Sequence, residues 1–402
     1  MSFPAPPPAD RPRHSLRASL AYLIAARLVL NTAHRFAYPF LPAISRGLGV
    51  TLEQGGLLMS ARALAGLATP LAVATAGRGE RRRRTLALGL ALFVLGAAVT
   101  AASGVYAGAI TGFALFGLAK PLFDISGQAY IADRTPYRRR GRYLALFETT
   151  WALALLGGAP AAGWLISHLG WRAPFWAVAG LALAALAALP WALDPDGGRS
   201  RGTTVPRLRL TRPAALILAA VLALMFSAEV SFVVFGAWLE DRFGLSLVAL
   251  GGAATAIAVA ELAGEGASFA LTDRLGPRRS VSLGLIVCVV AFAALGPALG
   301  SLGGGLAVMV LAFFGFEFAI VSALPLATEV APEARTRFLA LLVVALSVSR
   351  ALAGVVGPAL FSWGGFAANS TASALSGALA MALVLGVREQ PVSPAPPGSV
   401  PL

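Results

Sequence analysis

The chain reads as an all-α integral membrane protein of twelve transmembrane helices, built as two six-helix halves that repeat in parallel orientation. Three observations lead there: twelve apolar stretches of membrane-spanning length, arginine crowded into alternate connecting segments, and an internal repeat with an offset of 195 residues. With 57% hydrophobic and 12% charged residues in 402, a water-soluble globular chain is excluded.

About 20 apolar residues in a helix cross a hydrocarbon core of roughly 30 Å. The first such span, 18–42, follows three arginines, and the second, 53–77, runs into five at 78–84. Spans at 84–103 and 105–131 lie between that cluster and five more basic residues at 134–142. The fifth and sixth, 142–166 and 173–193, lead to a polar linker, 194–212, with another five. In the second half, 213–238 and 246–271 end at three arginines in 274–279, while 280–300 and 302–328 end at two in 335–337. The last spans, 337–362 and 366–387, end at Arg388.

These segments hold 24 basic residues, whereas the alternate loops hold only Arg46, Arg172 and Arg242. Lys and Arg in short loops stay on the cytoplasmic side, so both termini are expected there, with the spans in the plasma membrane. The formal charge of +14 then reflects topology signals beside anionic lipid and calls for no nucleic acid. Residues 1–14 are rich in Pro and Ala without an apolar core, so they are expected as a disordered cytoplasmic terminus and not a cleavable signal. The Pro-rich tail 388–402 is likewise expected to be disordered. Cys288, alone in an apolar span, reads as a small buried hydrophobe.

The halves correspond in sequence. Arg84-Thr85-Leu86-Ala87-Leu88-Gly89-Leu90 matches Arg279-Ser280-Val281-Ser282-Leu283-Gly284-Leu285, and Arg140-Gly141-Arg142-Tyr143-Leu144-Ala145-Leu146 matches Arg335-Thr336-Arg337-Phe338-Leu339-Ala340-Leu341 at the same offset. Because six spans precede the linker, both halves (15–193 and 213–387) enter the membrane in the same sense, as parallel repeats do.

After the eighth span the chain reads Asp273-Arg274-Leu275-Gly276-Pro277-Arg278-Arg279. This resembles the signature Asp-Arg-x-Gly-x-Arg-Arg that follows the second span of each half in the major facilitator superfamily, and the likeness extends over 15–388. The first-half copy, Gly77-Arg78-Gly79-Glu80-Arg81-Arg82-Arg83-Arg84, keeps the bases but has glycine near the acid's place, with Glu80 as a candidate substitute. Ala159-Pro160-Ala161-Ala162-Gly163 is a partial version of the Gly-Pro-x-x-Gly element of the family's antiporters. Arg35-Phe36-Ala37-Tyr38-Pro39-Phe40-Leu41-Pro42 and the run Asp124 to Asp133 resemble uncharacterised, drug-efflux-like bacterial members. The resemblance implies a central cavity lined by spans 1, 4, 7 and 10, flanked by 2, 5, 8 and 11, with 3, 6, 9 and 12 against lipid.

Eleven charges lie inside spans: Arg27, Arg35, Arg62, Lys120, Asp124, Glu148, Glu229, Glu261, Glu265, Glu317 and Arg350. None is on spans 3, 6, 9 or 12. A mid-bilayer charge facing lipid costs at least about 2.5–3.5 kcal/mol, so these residues should face the bundle or a wet cavity, in agreement with the implied architecture. Arg27, Asn31 and Arg35 (or His34) recur at helical spacing as one polar stripe. An Arg fork there suits a substrate carboxylate, phosphate or phenolate; a bridge from Arg27 to Glu229 or Glu317 is the structural alternative. Lys120, the sole lysine, and Asp124 share a helix face, either neutralising each other or forming a titrating switch. Glu261 and Glu265 share a face with like charge, so one is expected to hold a proton unless Arg350 or Arg62 neutralises it.

The expected substrate contacts are therefore Arg27, Asn31, Arg35, Lys120, Asp124, Glu229 and Glu317, and the proton carriers Asp124, Glu229, Glu261, Glu265 and Glu317. Phe36, Tyr38, Phe123, Phe232, Phe235, Phe313, Phe314 and Phe316 are candidates for an amphipathic pocket. By the resemblance, a gate is expected from Asp273, Arg274, Gly276, Arg278 and Arg279 against Arg140 and Arg142, with Glu148 as a gate bridge or carrier. There is no zinc-ligand cluster or phosphate-cradling loop, so no cofactor or metal is expected and an ion gradient is the energy source. The expected protein is not an enzyme but a monomeric, proton-coupled secondary transporter with protons, lipid and a small organic solute as partners. Efflux by antiport is the leading reading. Uptake of an organic anion by symport, a lipid flippase and a sensor that does not transport are the alternatives.

Overall fold

The computed structural model describes residues 15–75, 82–195, 210–298, 300–330 and 334–387. The terminal segments 1–14 and 388–402, the loop residues Gly77 to Arg81 with Glu80, and linker residues 196–209 lie outside them.

Among the described residues the chain forms helices without strands. The first span comprises α1 (Leu16–Phe36) and α2 (Leu41–Leu48); α3 (Leu52–Thr75), α4 (Arg82–Ala102) and α5 (Tyr106–Arg134) are the next three. The fifth is α6 (Tyr137–Glu148), α7 (Thr150–Leu156) and α8 (Gly158–Leu169), and the sixth α9 (Ala173–Ala192). In the second half, α10 (Arg212–Phe232) and α11 (Phe235–Phe243) form the seventh; α12 (Leu247–Leu275), α13 (Pro277–Ala298) and α14 (Leu302–Val330) follow. The last two crossings are joined in α15 (Arg335–Leu385), bent at Gly364 and Gly365.

Twelve crossings were expected; the helices follow that order, and among the described residues nine, the last of them bent, are long and apolar enough to cross a membrane, but several ends move. The first span continues to Leu48, the fifth starts at Tyr137, the seventh reaches Phe243 and the eighth Leu275. Hydropathy falls at the first polar residues, whereas the backbone ladder continues until a stop signal. Gly49 (φ 68°), Gly244 (φ 63°) and Gly276 (φ 85°) provide those stops, in a left-handed conformation that other residues adopt at a cost. Gly49 and Gly244 keep the repeat offset, as do the hydroxyls of Thr51 and Ser246, which accept from the N–H of Gln54 and Ala249 at the starts of α3 and α12.

Both halves break their leading span at the corresponding depth. In the first, Pro39 lacks an N–H and its ring crowds the carbonyl of Arg35, so Tyr38 N–H turns to Arg35 O. The released His34 carbonyl accepts from Arg62 Nη1 at 2.8 Å. In the second, Val234 N–H bonds Ser231 O, and the released Val230 carbonyl accepts from Asn369 Nδ2 at 2.7 Å. Buried carbonyls need such partners; here each comes from another span.

Helices α1–α9 pack among themselves, as do α10–α15. The large apolar side chains exposed on α4, α9, α13 and the end of α15, such as Leu88, Trp176, Ile286 and Leu379, are on the spans expected to face lipid. The two halves meet mainly away from the arginine-rich end. Arg46 Nη2 donates to Glu240 Oε1 at 2.7 Å, Ser60 Oγ to the Ala351 carbonyl at 2.7 Å, and the Ser362 hydroxyl to Glu53. Pro160 releases the Leu156 carbonyl, which accepts from Thr255 Oγ1 at 3.1 Å. Gly251 lies directly on Pro160 and Gly163 on Leu247, so the Ala-Pro-Ala-Ala-Gly element is a close-packed seam between α8 and α12. At the arginine-rich end, Arg82–Asp133 at 2.7 Å, Arg134–Asp194 at 3.9 Å and Arg278 to the Leu385 carbonyl at 2.9 Å are ties within a half.

Candidate functional site

A cavity of about 280 Å³ lies between the halves. Its closed end is at the two helix breaks, where the rings of Tyr38 and Phe232 are 4.6 Å apart. Along α10 its wall extends from Phe232 to Val221, about 16 Å at 1.5 Å per residue, toward the arginine-rich end. Most of the wall comes from α10, α12, α14 and α15, including Met225, Phe313, Phe316, Ile320 and Leu346; the first half adds Arg35, Tyr38, Glu148 and Trp151.

Two ion pairs and two further acids, Glu148 and Glu317, mark this wall. Arg35 on α1 is almost fully buried and its Nη2 is 2.8 Å from both carboxylate oxygens of Glu261 on α12. This link joins the halves beside the closed end. Arg350 on α15 donates from Nε to Glu229 Oε1 on α10 at 3.0 Å, and its side chain remains 30% exposed. Glu317 on α14 lines the cavity and, among the described residues, has no hydrogen bond or ion-pair partner. It sits where α12 crosses α14, because Gly264 leaves the two backbones in contact beside it.

Trp151 stands between this wall and a second charged set. Its indole lies 4.6 Å from the Arg35 guanidinium carbon, 5.7 Å from that of Arg350 and 5.4 Å from Lys120 Nζ, within reach of cation–π attraction. Behind it, Arg27 donates from Nε to Asp124 Oδ1 at 2.9 Å and from Nη2 to Glu148 Oε2 at 2.8 Å. Lys120 bonds the other oxygen of Asp124, and Gln128 Nε2 donates to Glu148 Oε1 at 2.8 Å. Asn31 donates to Thr150 Oγ1 at 3.0 Å. Two cations and two anions thus balance within spans 1, 4 and 5.

The structure brings Arg35, Glu229, Glu261 and Glu317 together at the cavity, but corrects several pairings. Arg27 bridges Asp124 and Glu148 in its own half instead of reaching Glu229 or Glu317. Glu261 is neutralised by Arg35, not by Arg350 or Arg62; Arg350 holds Glu229, and Arg62 caps the His34 carbonyl and donates to the Tyr38 hydroxyl at 3.0 Å. Glu265 is half-buried, apart from Glu261's ion pair, and outside the cavity wall. Arg27, Asn31, Lys120 and Asp124 likewise stand outside it. Of the aromatic candidates, Tyr38, Phe232, Phe313 and Phe316 line the cavity, whereas Phe36, Phe123 and Phe235 are core and Phe314 packs beside Phe318.

The expected gate is open. Asp273 is exposed and bonds to nothing among the described residues, and Arg142, Arg274 and Arg279 are exposed as well. The expectation that Asp273 meets Arg140 and Arg142 is therefore corrected for this conformation: α6 packs on α1, α5 and α7 of its own half. Gly276 ends α12 and Arg278 anchors to the Leu385 carbonyl. Glu148 lines the cavity wall as Arg27's partner. Sequence reasoning missed Trp151. Its signal was a tryptophan deep inside a span, since Trp favours the membrane interface.

The profile of the Major Facilitator Superfamily matches residues 23–328. The chain belongs to that superfamily of transporters. Within it, the chain is similar to the "Inner membrane transport protein YdhP" of Escherichia coli (strain K12), 28% identical over 362 residues that cover 87% of this chain and 91% of the relative. A "Chloramphenicol resistance protein" of Streptomyces lividans is 28% identical over 218 residues, 54% of this chain and 56% of its own length. Among solved structures, a D-xylose-proton symporter aligns with a TM-score of 0.76 at 16% identity, covering 92% of this chain and 97% of the symporter, which shows the shared fold. This is a multi-pass membrane transporter, and its helices form the two-repeat superfamily fold around the cavity.

Proposed function

We propose that the protein is a secondary transporter of the bacterial inner membrane that exports a small amphipathic solute in exchange for protons. The observation that carries this reading is Glu317, a carboxyl in the wall of an otherwise mostly apolar cavity that keeps no ion-pair partner. A proton and a solute's positive group compete for such an acid, which is the requirement of antiport: occupancy by one excludes the other. Arg35–Glu261 and Arg350–Glu229 are already paired, so using them for protons breaks an ion pair first.

Positive-inside topology makes the arginine-rich end cytoplasmic. The cavity then faces the cytoplasm, with the opposite side held by the α8–α12 seam, the Arg46–Glu240 pair and the Arg35–Glu261 link. Rocking of the halves about the cavity exposes it on the other face, with Asp273 moving toward the start of the fifth span. The similarity to an inner membrane transport protein and a chloramphenicol resistance protein supports both the location and efflux. No cofactor enters this cycle; the proton gradient drives it.

The test is purified protein in proteoliposomes containing a pH-sensitive dye. Under a preset proton gradient, adding an amphipathic amine is expected to dissipate the gradient in proportion to solute moved in the opposite direction. Solute movement that leaves the internal pH unchanged contradicts proton coupling, and movement in the same direction as protons contradicts antiport.

A further inference from the structure

Beside its free acid the cavity offers a second polar group, which narrows the solute's chemistry. Arg350 uses only Nε, on Glu229; its two terminal nitrogens have no hydrogen bond among the described residues, and the side chain is 30% exposed at the cavity wall. Arg35 differs in access: it is almost fully buried, its Nη2 holds both oxygens of Glu261, and its Nε is a buried donor with no partner. Among the described residues, the cavity therefore has one unpaired anion, Glu317, and one cation, Arg350, whose unused donors are on a partly exposed side chain. The indole of Trp151 lies beside Arg350, and Phe316 lies one residue before Glu317.

We infer that the preferred solute is a small aromatic zwitterion, its ammonium on Glu317, its carboxylate on the terminal nitrogens of Arg350 and its ring against Trp151 and Phe316. A guanidinium edge with two N–H groups suits a carboxylate. A solute lacking that carboxylate leaves those donors unpaired away from bulk water, which costs affinity. A volume of about 280 Å³ is at the lower end of ligand cavities and sets the scale at one or two fused rings. The inference rests on the cavity being the transport site but not on the direction or energy source of transport.

Equilibrium binding to the purified full-length protein, by isothermal titration calorimetry, separates the two. The probes are ring-matched: naphthylalanine (zwitterion), its methyl ester (cation) and naphthylpropionate (anion). The zwitterion is expected to bind at least ten-fold more tightly than either. Arg350→Gln should reduce it to the level of the ester while leaving the ester unchanged, and Glu317→Gln should weaken zwitterion and ester but spare the anion. Arg350→Lys, which keeps the charge but not the fork, is expected to recover only part of the preference, and thermal unfolding of each variant confirms a folded protein. Equal affinity for zwitterion and ester, binding of none of the three, or a preference that survives Arg350→Gln overturns the inference. Zwitterion binding without proton movement in proteoliposomes instead leaves it standing and contradicts the antiport reading.

Discussion

The charges behind Trp151 and those in front of it are built on opposite terms. Arg27, Lys120, Asp124 and Glu148 belong to one half, balance two against two, and hold each other through short contacts. The cavity set has two cations, Arg35 and Arg350, against Glu229, Glu261 and Glu317, and it draws on both halves, while Glu148 reaches the same wall with its charge met by Arg27. A neutral network inside a membrane can hold three spans together without requiring a further charge from solution. A set one charge short of neutral requires a proton or a ligand. Burial alone therefore does not single out a charge; the proposed exchange site rests on imbalance at an accessible wall.

The largest expected effect follows from removing the imbalance. Glu317→Gln should reduce proton-coupled flux by 100-fold or more while leaving the thermal transition within a few degrees of wild type, measured in matched proteoliposome and unfolding assays. A variant that keeps its coupling would place the exchange site elsewhere. Next in size, Arg35→Ala leaves Glu261 buried without its cation, a loss of about 3–5 kcal/mol for a broken buried pair. Denaturant unfolding in detergent should show it, and the double variant Arg35→Gln with Glu261→Gln should recover much of the loss.

The balanced network sharpens the comparison from the other side. Lys120→Met or Asp124→Asn alone should destabilise, and the double variant should lose less than the sum, with a coupling energy of about 0.5–3 kcal/mol. Solute preference should stay the same in all three. A changed preference would make Trp151 a path between the two sets and not a partition. An effect of similar size, confined to stability, belongs to Asn369→Ala, which leaves the Val230 and Gly357 carbonyls short of a donor and should cost about 1–3 kcal/mol, read as a lower thermal transition with the same substrate preference.

Much of this comparison is legible in the chain, and the rest has an identifiable reason for being hidden. Twelve spans follow from hydropathy because a bilayer imposes one length on every crossing. Glu317 is visible as a charge in an apolar span, as are Arg35, Glu229 and Glu261. Their pairings are not: Arg35 and Glu261 are 226 residues apart and Arg27 and Asp124 97 apart, so only the packed halves decide which acid meets which base. The single-turn spacing of Lys120 and Asp124 revealed that pair, because a helix alone brings them together. The same spacing in Glu261 and Glu265 suggested a shared proton site, but Arg35 from the other half takes one member away. Pro39 announces the break in the first span, whereas Val233 and Val234 announce nothing; there the repeat, and Asn369 from a distant span, carry the information.

The most direct measurement counts protons released when solute binds to the detergent-solubilised protein in weakly buffered solution, for wild type and Glu317→Gln. The account predicts net proton release by the wild type and none by the variant at saturating solute. Equal release from both, or none from the wild type across the pH range in which it transports, would contradict the exchange of proton and solute at Glu317.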